Sequence, residues 1–358
     1  MPEYYLFTLK PLSPAYFGGE HGLTEDDYFL RTRLFPQQTT ILGMLRYELL
    51  RRNQTLTYQR GKGYQINDQK KAEGLIGENS FTGTEADQQT FGKIEKLSPV
   101  FLQFENKAWF LVKNPKNFQA MTIPGKSYSS SGSKTDHLYC LPGYNVKEYH
   151  LSEIFFCEDD LQKTLKVEKE ENDKLSDPWA FTKFVKIGIT KQYKHQPKED
   201  GFFKMELLHL HPRAAYQFYA SLETGHGLPQ SGSGLVYLGG NRTPFQMNFE
   251  KVNLFFPEAD QFHLSGISTL LSDAYVADGA THGAKLAATD TVIFRNQKTL
   301  TDPEFSYHQK PVGDHAHTPR LLLSRGGLLF EPDLTALQTW LNHEAYYKIG
   351  YNYFSTPK

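Results

Sequence analysis

The chain is poor in the features that usually assign a protein to a class at first sight. Two cysteines, Cys140 and Cys157, stand among 358 residues, too few for a disulfide framework or a zinc knuckle. No apolar run is long enough to span a bilayer and no signal peptide is visible, so the expected compartment is the cytoplasm and no membrane partner is expected. The formal net charge is -1, which argues against coating nucleic acid by bulk attraction, because that binding scales with the number of phosphates neutralised. Any nucleic-acid contact must be local. The phosphate-cradling pattern G-x-x-x-x-G-K-[ST] is missing, as is the G-x-S-x-G elbow, so nucleotide hydrolysis and esterase-type catalysis have no support. A dinucleotide fingerprint begins at Gly232 and Gly234 but fails at Tyr237, and a strand follows where a helix is needed. No cofactor is expected, and no sequence repeat is detectable.

What is present is aromatic: 26 Phe and 21 Tyr suggest strand-rich packing, with some rings free to stack on a flat ligand. The length suits two domains. A first strand is expected over Tyr4 to Lys10. A helix is expected from a cap at Thr39 or Thr40, just after Pro36, to about Arg52, with Ile41, Leu42, Leu45 and Leu49 on one face. Residues 60–98 are polar and glycine-rich and read as an irregular insertion. PVFLQF and AWFLV flank Glu105-Asn106-Lys107 as a hairpin, and the acidic run from Cys157 reads as a solvated helix or linker. FVKIGIT and GFFKMELLHL form a long hairpin around a basic tip. SGSGLVYLGGNRTPFQMNF gives two strands about a glycine turn, in which Phe245, Met247 and Phe249 alternate with polar residues. Later strands fall at FHLSGIS, DTVIFR and LLLSR, and DLTALQTWLNHEAYY reads as one helix capped by Asp333. Strands mixed with single helices in both halves give an α+β chain.

Charge is unevenly placed. Between Tyr28 and Gly63 lie Arg31, Arg33, Arg46, Arg51, Arg52, Arg60 and Lys62 against one acid, Glu48. A helix N-terminus offers unpaired amides and a partial positive charge, so the turn from Pro36 through Gln37 to Thr39 and Thr40 is a candidate phosphate site, with Arg31, Arg33 and Arg46 around it. The turn Gly239, Gly240, Asn241, Arg242 lets backbone approach a ligand closely, although a plain hairpin turn explains it as well. The tip carrying Lys191, Lys194 and His195, with Lys204 and Phe203 on its strand, mixes cations with rings as single-strand binders do; an ordinary solvated loop is the competing reading. His209 with His211, and His315 with His317 near His308, have strand spacing but lack an identifiable third metal ligand. His21 and His282, each beside a glycine, are the residues that could serve acid-base chemistry on RNA.

In that order along the chain, LRTRLFPQQTTILGMLRYELL, FVKIGITK with GFFKMELLHL, LVYLGGNRTPF and GAKLAATDTVIF resemble the third-subunit family of the Cmr (type III-B) CRISPR effector complex, a branch of the RAMP superfamily. The resemblance implies two ferredoxin-like (RRM-type) βαββαβ domains with insertions and a projecting β-hairpin. Their expected extents are 1–215, with an insertion at 60–98 and the hairpin at 184–210, and 216–358. It implies a non-catalytic RNA-binding subunit that caps the 5′ handle of the crRNA in antiviral defence. Its expected partners are the large polymerase-like subunit, the backbone RAMP subunit and, indirectly, target RNA. The RNA-binding residues expected on this basis are Arg31, Arg33, Gln37, Thr39, Thr40, Arg46, Lys126, Lys191, Lys194, Lys204, Gly239, Gly240, Asn241 and Arg242. Asn241 departs from the acidic residue usual in that turn. The rival expectations are a metal-independent endoribonuclease using His21 or His282, a subunit of a sister type III system, and a protein-only scaffold.

Overall fold

The computed structural model describes residues 1–18, 29–60, 63–78, 81, 89–114, 127–128, 138–139, 152–157, 160–168, 179–191, 197–239, 242–256, 267–275, 286–294, 320–330, 334–341 and 343–355. Strand β1 (Glu3–Pro11) turns Tyr5, Phe7 and Leu9 into the core, the two-residue period of a strand with one buried face. After β2 (Phe29–Leu30) come α1 (Gln38–Arg52), the hairpin β3 (Leu56–Gln59) and β4 (Gly63–Ile66), and α2 (Gln69–Ile76). Then follow β5 (Ile94–Leu97), β6 (Phe101–Phe104), β7 (Lys107–Asn114), a short ladder of β8 (Ser127–Tyr128) with β9 (Leu138–Tyr139), β10 (Ser152–Cys157) and β11 (Asp160–Glu168). The long hairpin is β12 (Trp179–Lys191) with β13 (Pro197–Leu210), followed by β14 (Ala214–Leu222), β15 (Ser231–Leu238) and β16 (Thr243–Val252). The last part comprises β17 (Ile267–Thr269), β18 (Ala274–Tyr275), β19 (Leu286–Ala288), β20 (Thr291–Phe294), β21 (Arg320–Leu323), β22 (Leu328–Phe330), α3 (Leu334–Leu341) and α4 (Glu344–Lys348).

Among the described residues, one 12-stranded sheet runs β15-β16-β1-β14-β6-β7-β10-β11-β12-β13-β2, with β5 also paired to β14. Its ladders are antiparallel except β11 with β12 and β13 with β2. The architecture is α+β with strands predominating. Strand β1 lies between β14 and β16, and β14 in turn pairs with β6; α1 follows β2, at the far end of the strand path, and leads into the separate β3–β4 hairpin. The step from β14 to β16 is made by a turn and β15, with no helix. The boundary expected between residues 215 and 216 falls inside β14, which is laddered to β1 from Leu222 to Tyr216.

One core cluster contains Phe7, Leu45, Leu75, Phe218 and Met247 together with Phe294, Leu322, Tyr346 and Tyr351 of the C-terminal part. Helix α1 is therefore enclosed by the sheet on one side and by α2 and the C-terminal segment on others. Its buried arc includes Gln38, Met44, Arg46, Glu48 and Leu50 besides the expected Ile41, Leu42, Leu45 and Leu49. Fully burying each of those aliphatic side chains contributes about 1.5–3 kcal/mol.

Several local expectations are corrected. The helix starts at Gln38 with Gln37 in the cap position, so Thr39 and Thr40 belong to its first turn. The 60–98 insertion contains β4, α2, whose Asp68 cap accepts from the Lys71 amide at 3.0 Å, and β5. Within the acidic run, Asp160–Glu168 form β11, with Leu165 and Val167 buried, because ladders to β10 and β12 hold it. The expected single C-terminal helix is two, α3 and α4; Asp333 lies outside the described residues.

At the start of β1 the Glu3 carboxylate receives the His226 Nε2–H at 2.9 Å and the Lys251 ammonium at 3.1 Å, while His226 Nδ1 accepts from the Leu228 amide at 3.0 Å. The His226 hydrogen bond and then Lys251 hold the Glu3 carboxyl down from 4.5 to about 2. A depressed carboxyl stabilises the folded state above its unfolded value, and that stability is lost as pH falls through the folded value. Glu3→Gln should accordingly flatten the fall of the urea midpoint between pH 4.5 and about 2, while the fall above that window is unaltered.

Candidate nucleic-acid interface

The start of α1 is a packed junction. Gln37 adopts extended backbone and makes no side-chain capping bond, and no acid occupies the first turn. The Gln38 amide nitrogen donates to the carbonyl oxygens of Ser98 at 3.2 Å and Gly350 at 2.8 Å, tying the helix to β5's exit and to the C-terminal segment. Gly350 has φ +92°, and a Cβ there would stand 2.5 Å from both Gln38 Nε2 and the Ser98 carbonyl oxygen. Only glycine lets the chain pass so near the helix. Tyr351 is buried, and its phenol is pushed up by burial first and then by Asp273.

Beside this junction opens a cleft of about 550 Å³, lined among others by Arg33, Phe35, Gln38, Lys183, Asp273 and Arg325. Its cations are engaged by the protein itself. Arg33 pairs with Asp273 at 3.6 Å. Arg325 donates its amide to Asp273 at 2.9 Å, lays its guanidinium over Phe35 at 4.2 Å and donates to the Val100 carbonyl. Burial pushes Arg325 down to about 10, against the pull of Asp273. Arg46, expected beside this entrance, is 4% exposed on the core-facing arc of α1, over the Phe91 ring at 5.8 Å, and burial pushes it down to about 10. Arg46 therefore offers no surface charge at the helix start.

A strap formed by residues 12–18 gathers other predicted groups. The amides of Ala15 and Leu208 each donate to the other's carbonyl at 2.8 Å, and Leu12 donates to Pro244 at 2.9 Å. Phe17 donates its amide to Thr32 Oγ1, and Arg33 donates to Phe17, both at 3.0 Å. Gly239 lies against the same strap: with φ +76°, its Cβ position is 2.2 Å from the Tyr16 carbonyl oxygen. Its freedom from a side chain thus serves contact with the protein's own backbone. Arg242 is exposed and donates its amide to Gly239 at 3.1 Å.

The open surface with cationic and aromatic character is the edge built by β2. Lys204 stands directly opposite Phe29 across the β13–β2 ladder and opposite Ile187 across the β12–β13 ladder, and residues paired in this way share a face of the sheet. Arg31, two residues beyond Phe29, has its guanidinium 5.8 Å from that ring and is exposed, as is Lys204. Val185 and Ile187 are 51% and 64% exposed on the same hairpin. A guanidinium over a ring beside an ammonium can hold a phosphate while the aromatic and aliphatic surface takes a base.

Of the residues expected to act together, Arg31 and Lys204 flank Phe29 at this edge, Gly239 packs on the strap with Arg242 exposed beside it, and Arg33 turns into the cleft. Gln37, Thr39 and Thr40 sit half-buried at the helix start. Lys126, Lys194, Gly240, Asn241, His21, His195, His282, His308, His315 and His317 lie outside the described residues. The side chain of Lys191, at the end of β12, does so too. Sequence reasoning missed Phe29, Val185 and Ile187: β2 is two residues long and is held in place by pairing with a strand far along the chain. Among the described residues no group of three His, Cys, Asp or Glu is placed to hold a metal. His211 packs edge-on to Trp179 at 4.6 Å and accepts from the Arg213 amide at 3.1 Å. No helix among the described residues is long and apolar enough to cross a membrane.

The family model for CRISPR-associated protein (Cas_Cmr3) matches residues 7–285. No curated protein matches the sequence. Among solved structures, the chain resembles one from a cryo-EM structure of the Type III-B Cmr-beta bound to cognate target RNA and AMPPnP, at 13% identity and TM-score 0.52, covering 97% of this chain and 94% of that chain. It also resembles one from the Type III-B Cmr-beta bound to cognate target RNA, at 12% identity and TM-score 0.53, covering 98% and 96%. At such identity the likeness is one of fold.

Gly350→Ala should lower unfolding free energy by about 1–3 kcal/mol, read by urea denaturation, through a strained backbone and a displaced Gln38. Gly18→Ala is the control, since a Cβ there meets nothing within 4 Å.

Proposed function

The chain belongs to the CRISPR-associated Cas_Cmr3 family, and from that premise we propose that this type III-B effector subunit grips the 5′ handle of the crRNA at its β2 edge. The observation that carries the reading is the register of β13 with β2, which sets exposed Arg31 and Lys204 beside the Phe29 ring. Phosphate contacts position the strand, and ring stacking with 2′-hydroxyl contacts accommodates splayed bases. Arg242, exposed in the turn whose Gly239 packs on the strap, is included in the proposed RNA surface. Gly240, Asn241, Lys126, Lys191 and Lys194 remain part of the proposed RNA surface, whereas Arg46 acts on it only through the packing of α1.

The near-neutral total fits this role. A subunit held in a ribonucleoprotein needs a local cationic surface for RNA, while its other faces meet proteins and gain nothing from excess charge. We assign those faces to the large polymerase-like subunit and the backbone RAMP subunit, with target RNA reached through the assembly. In this reading the protein works in the cytoplasm, in antiviral defence, and binds RNA without cutting it. The two-unit ferredoxin-like layout belongs to the same reading; the order β16-β1-β14-β6 supports one such unit.

The test is binding of the purified chain to labelled guide RNA by fluorescence anisotropy at graded salt. Arg31→Ala with Lys204→Ala should reduce the slope of log affinity against log salt by about 0.7 per lost phosphate contact. Arg46→Ala should leave that slope unchanged while lowering stability. An unaltered slope in the double variant removes the β2 edge from the site, and site-specific cleavage of repeat RNA in EDTA overturns the non-catalytic assignment.

A further inference from the structure

Helix α1 ends in a surface remote from the β2 edge. Strands β3 and β4 leave its C-terminal end and place Tyr58 directly opposite Tyr64, with Gly63 at φ +76° starting the returning strand. The two rings meet edge to face at 5.5 Å, and Tyr64 meets Tyr47 of α1 in the same manner at 5.7 Å. Tyr58 and Tyr64 are nevertheless 65% and 45% exposed. Three phenol rings thus form a stepped platform with an open side.

The charge around the platform is cationic. Arg60 is exposed at the end of β3. Arg51, its side chain 44% exposed, contacts Glu48 through Nε at 3.0 Å and Nη2 at 2.8 Å and stands four residues beyond Tyr47 on α1. Glu48 is fully buried and is also held by Arg52 Nε at 3.0 Å. The single acid of this stretch is therefore already matched by two guanidiniums, and positive charge remains beside the rings. A helix of 15 residues is about 22 Å long, so a nucleotide held at one end of α1 does not touch the other.

We propose that the Tyr47, Tyr58 and Tyr64 platform is a second single-stranded RNA site, where a base stacks on the open tyrosine rings while its flanking phosphates meet Arg51 and Arg60. Rings next to cations, with Glu48 buried and paired, are the elements of sequence-tolerant single-strand binding. Tyrosine and arginine also serve protein interfaces; what favours RNA here is that guanidiniums stand beside the open rings while Glu48, the acid of this stretch, is buried and paired. The site is independent of the β2 edge.

The test uses the full chain and a fluorescein-labelled oligouridylate carrying no handle sequence. Tyr58→Ala with Tyr64→Ala should weaken binding about tenfold, the effect of losing one stacked base. Tyr58→Phe with Tyr64→Phe should stay within about twofold, since a phenyl ring still stacks. Photo-crosslinking with 5-iodouridine should mark Tyr58 or Tyr64, and should do so equally in the Arg31→Ala, Lys204→Ala variant. Normal oligouridylate affinity in that variant together with loss in the tyrosine variant separates this site from the β2 edge, whose own role is read from the salt slope with guide RNA. Unchanged oligouridylate affinity in the tyrosine-to-alanine variant overturns this site, as does failure of the iodouridine to mark either tyrosine.

Discussion

Two backbone hydrogen bonds between Ala15 and Leu208 decide how this sheet is arranged in space. The strap that carries Ala15 also binds Pro244 through Leu12, touches Gly239 through Tyr16 and pairs through Phe17 with Thr32 and Arg33. Leu208 belongs to β13, close to one end of the strand path, and Pro244 to β16, close to the other. One short segment of main chain thus ties both ends of the long sheet together. Because buried main-chain groups need partners, this exchange of bonds holds β2 in the narrow position where Arg31 and Lys204 become neighbours.

Near-neutrality is reached by sorting charges, and the basic stretch after Tyr28 shows how. Consecutive helical residues point about 100° apart, so arginines close in sequence part company: Arg46 turns into the core, while Arg51 and Arg52 close on Glu48. Arg33 is taken by Asp273, a residue of the C-terminal part. Arg31 and Arg60 remain exposed, at opposite ends of α1. A tight cluster in the text is therefore two separate cationic surfaces with a compensated interior between them.

Strong periodic segments were legible without the structure. The alternation in β1 and β16, the apolar face of α1 and the paired runs of β12 and β13 fold as their patterns indicate. Elements that depend on distant partners were not. Strand β11 looks like a solvated acidic segment because charges hide its buried Leu165 and Val167, and β3 and β4 are short pieces inside a polar tract. Gln38 looks like an ordinary helix residue, and nothing local shows that its amide joins Ser98 to Gly350. Basic residues could be found by composition, but their sharing of a face could not, because the face is made by a parallel pairing between β2 and β13. The wider burial of α1 was hidden for the same reason: α2 and the C-terminal segment cover sides that a one-sided pattern leaves to solvent.

Strand β1 has its place between two neighbours that the ribosome delivers late, since Glu3 faces Leu222 and Tyr4 faces Val252. At synthesis rates of about 5–20 residues per second, its apolar face waits on the order of ten seconds or more before either neighbour is available. Throughout that interval both of its hydrogen-bonding edges are open to strands of other chains, the usual route to aggregation. The long separation of β1 from its partners thus makes the nascent N-terminus the segment of the sheet that waits longest for its neighbours.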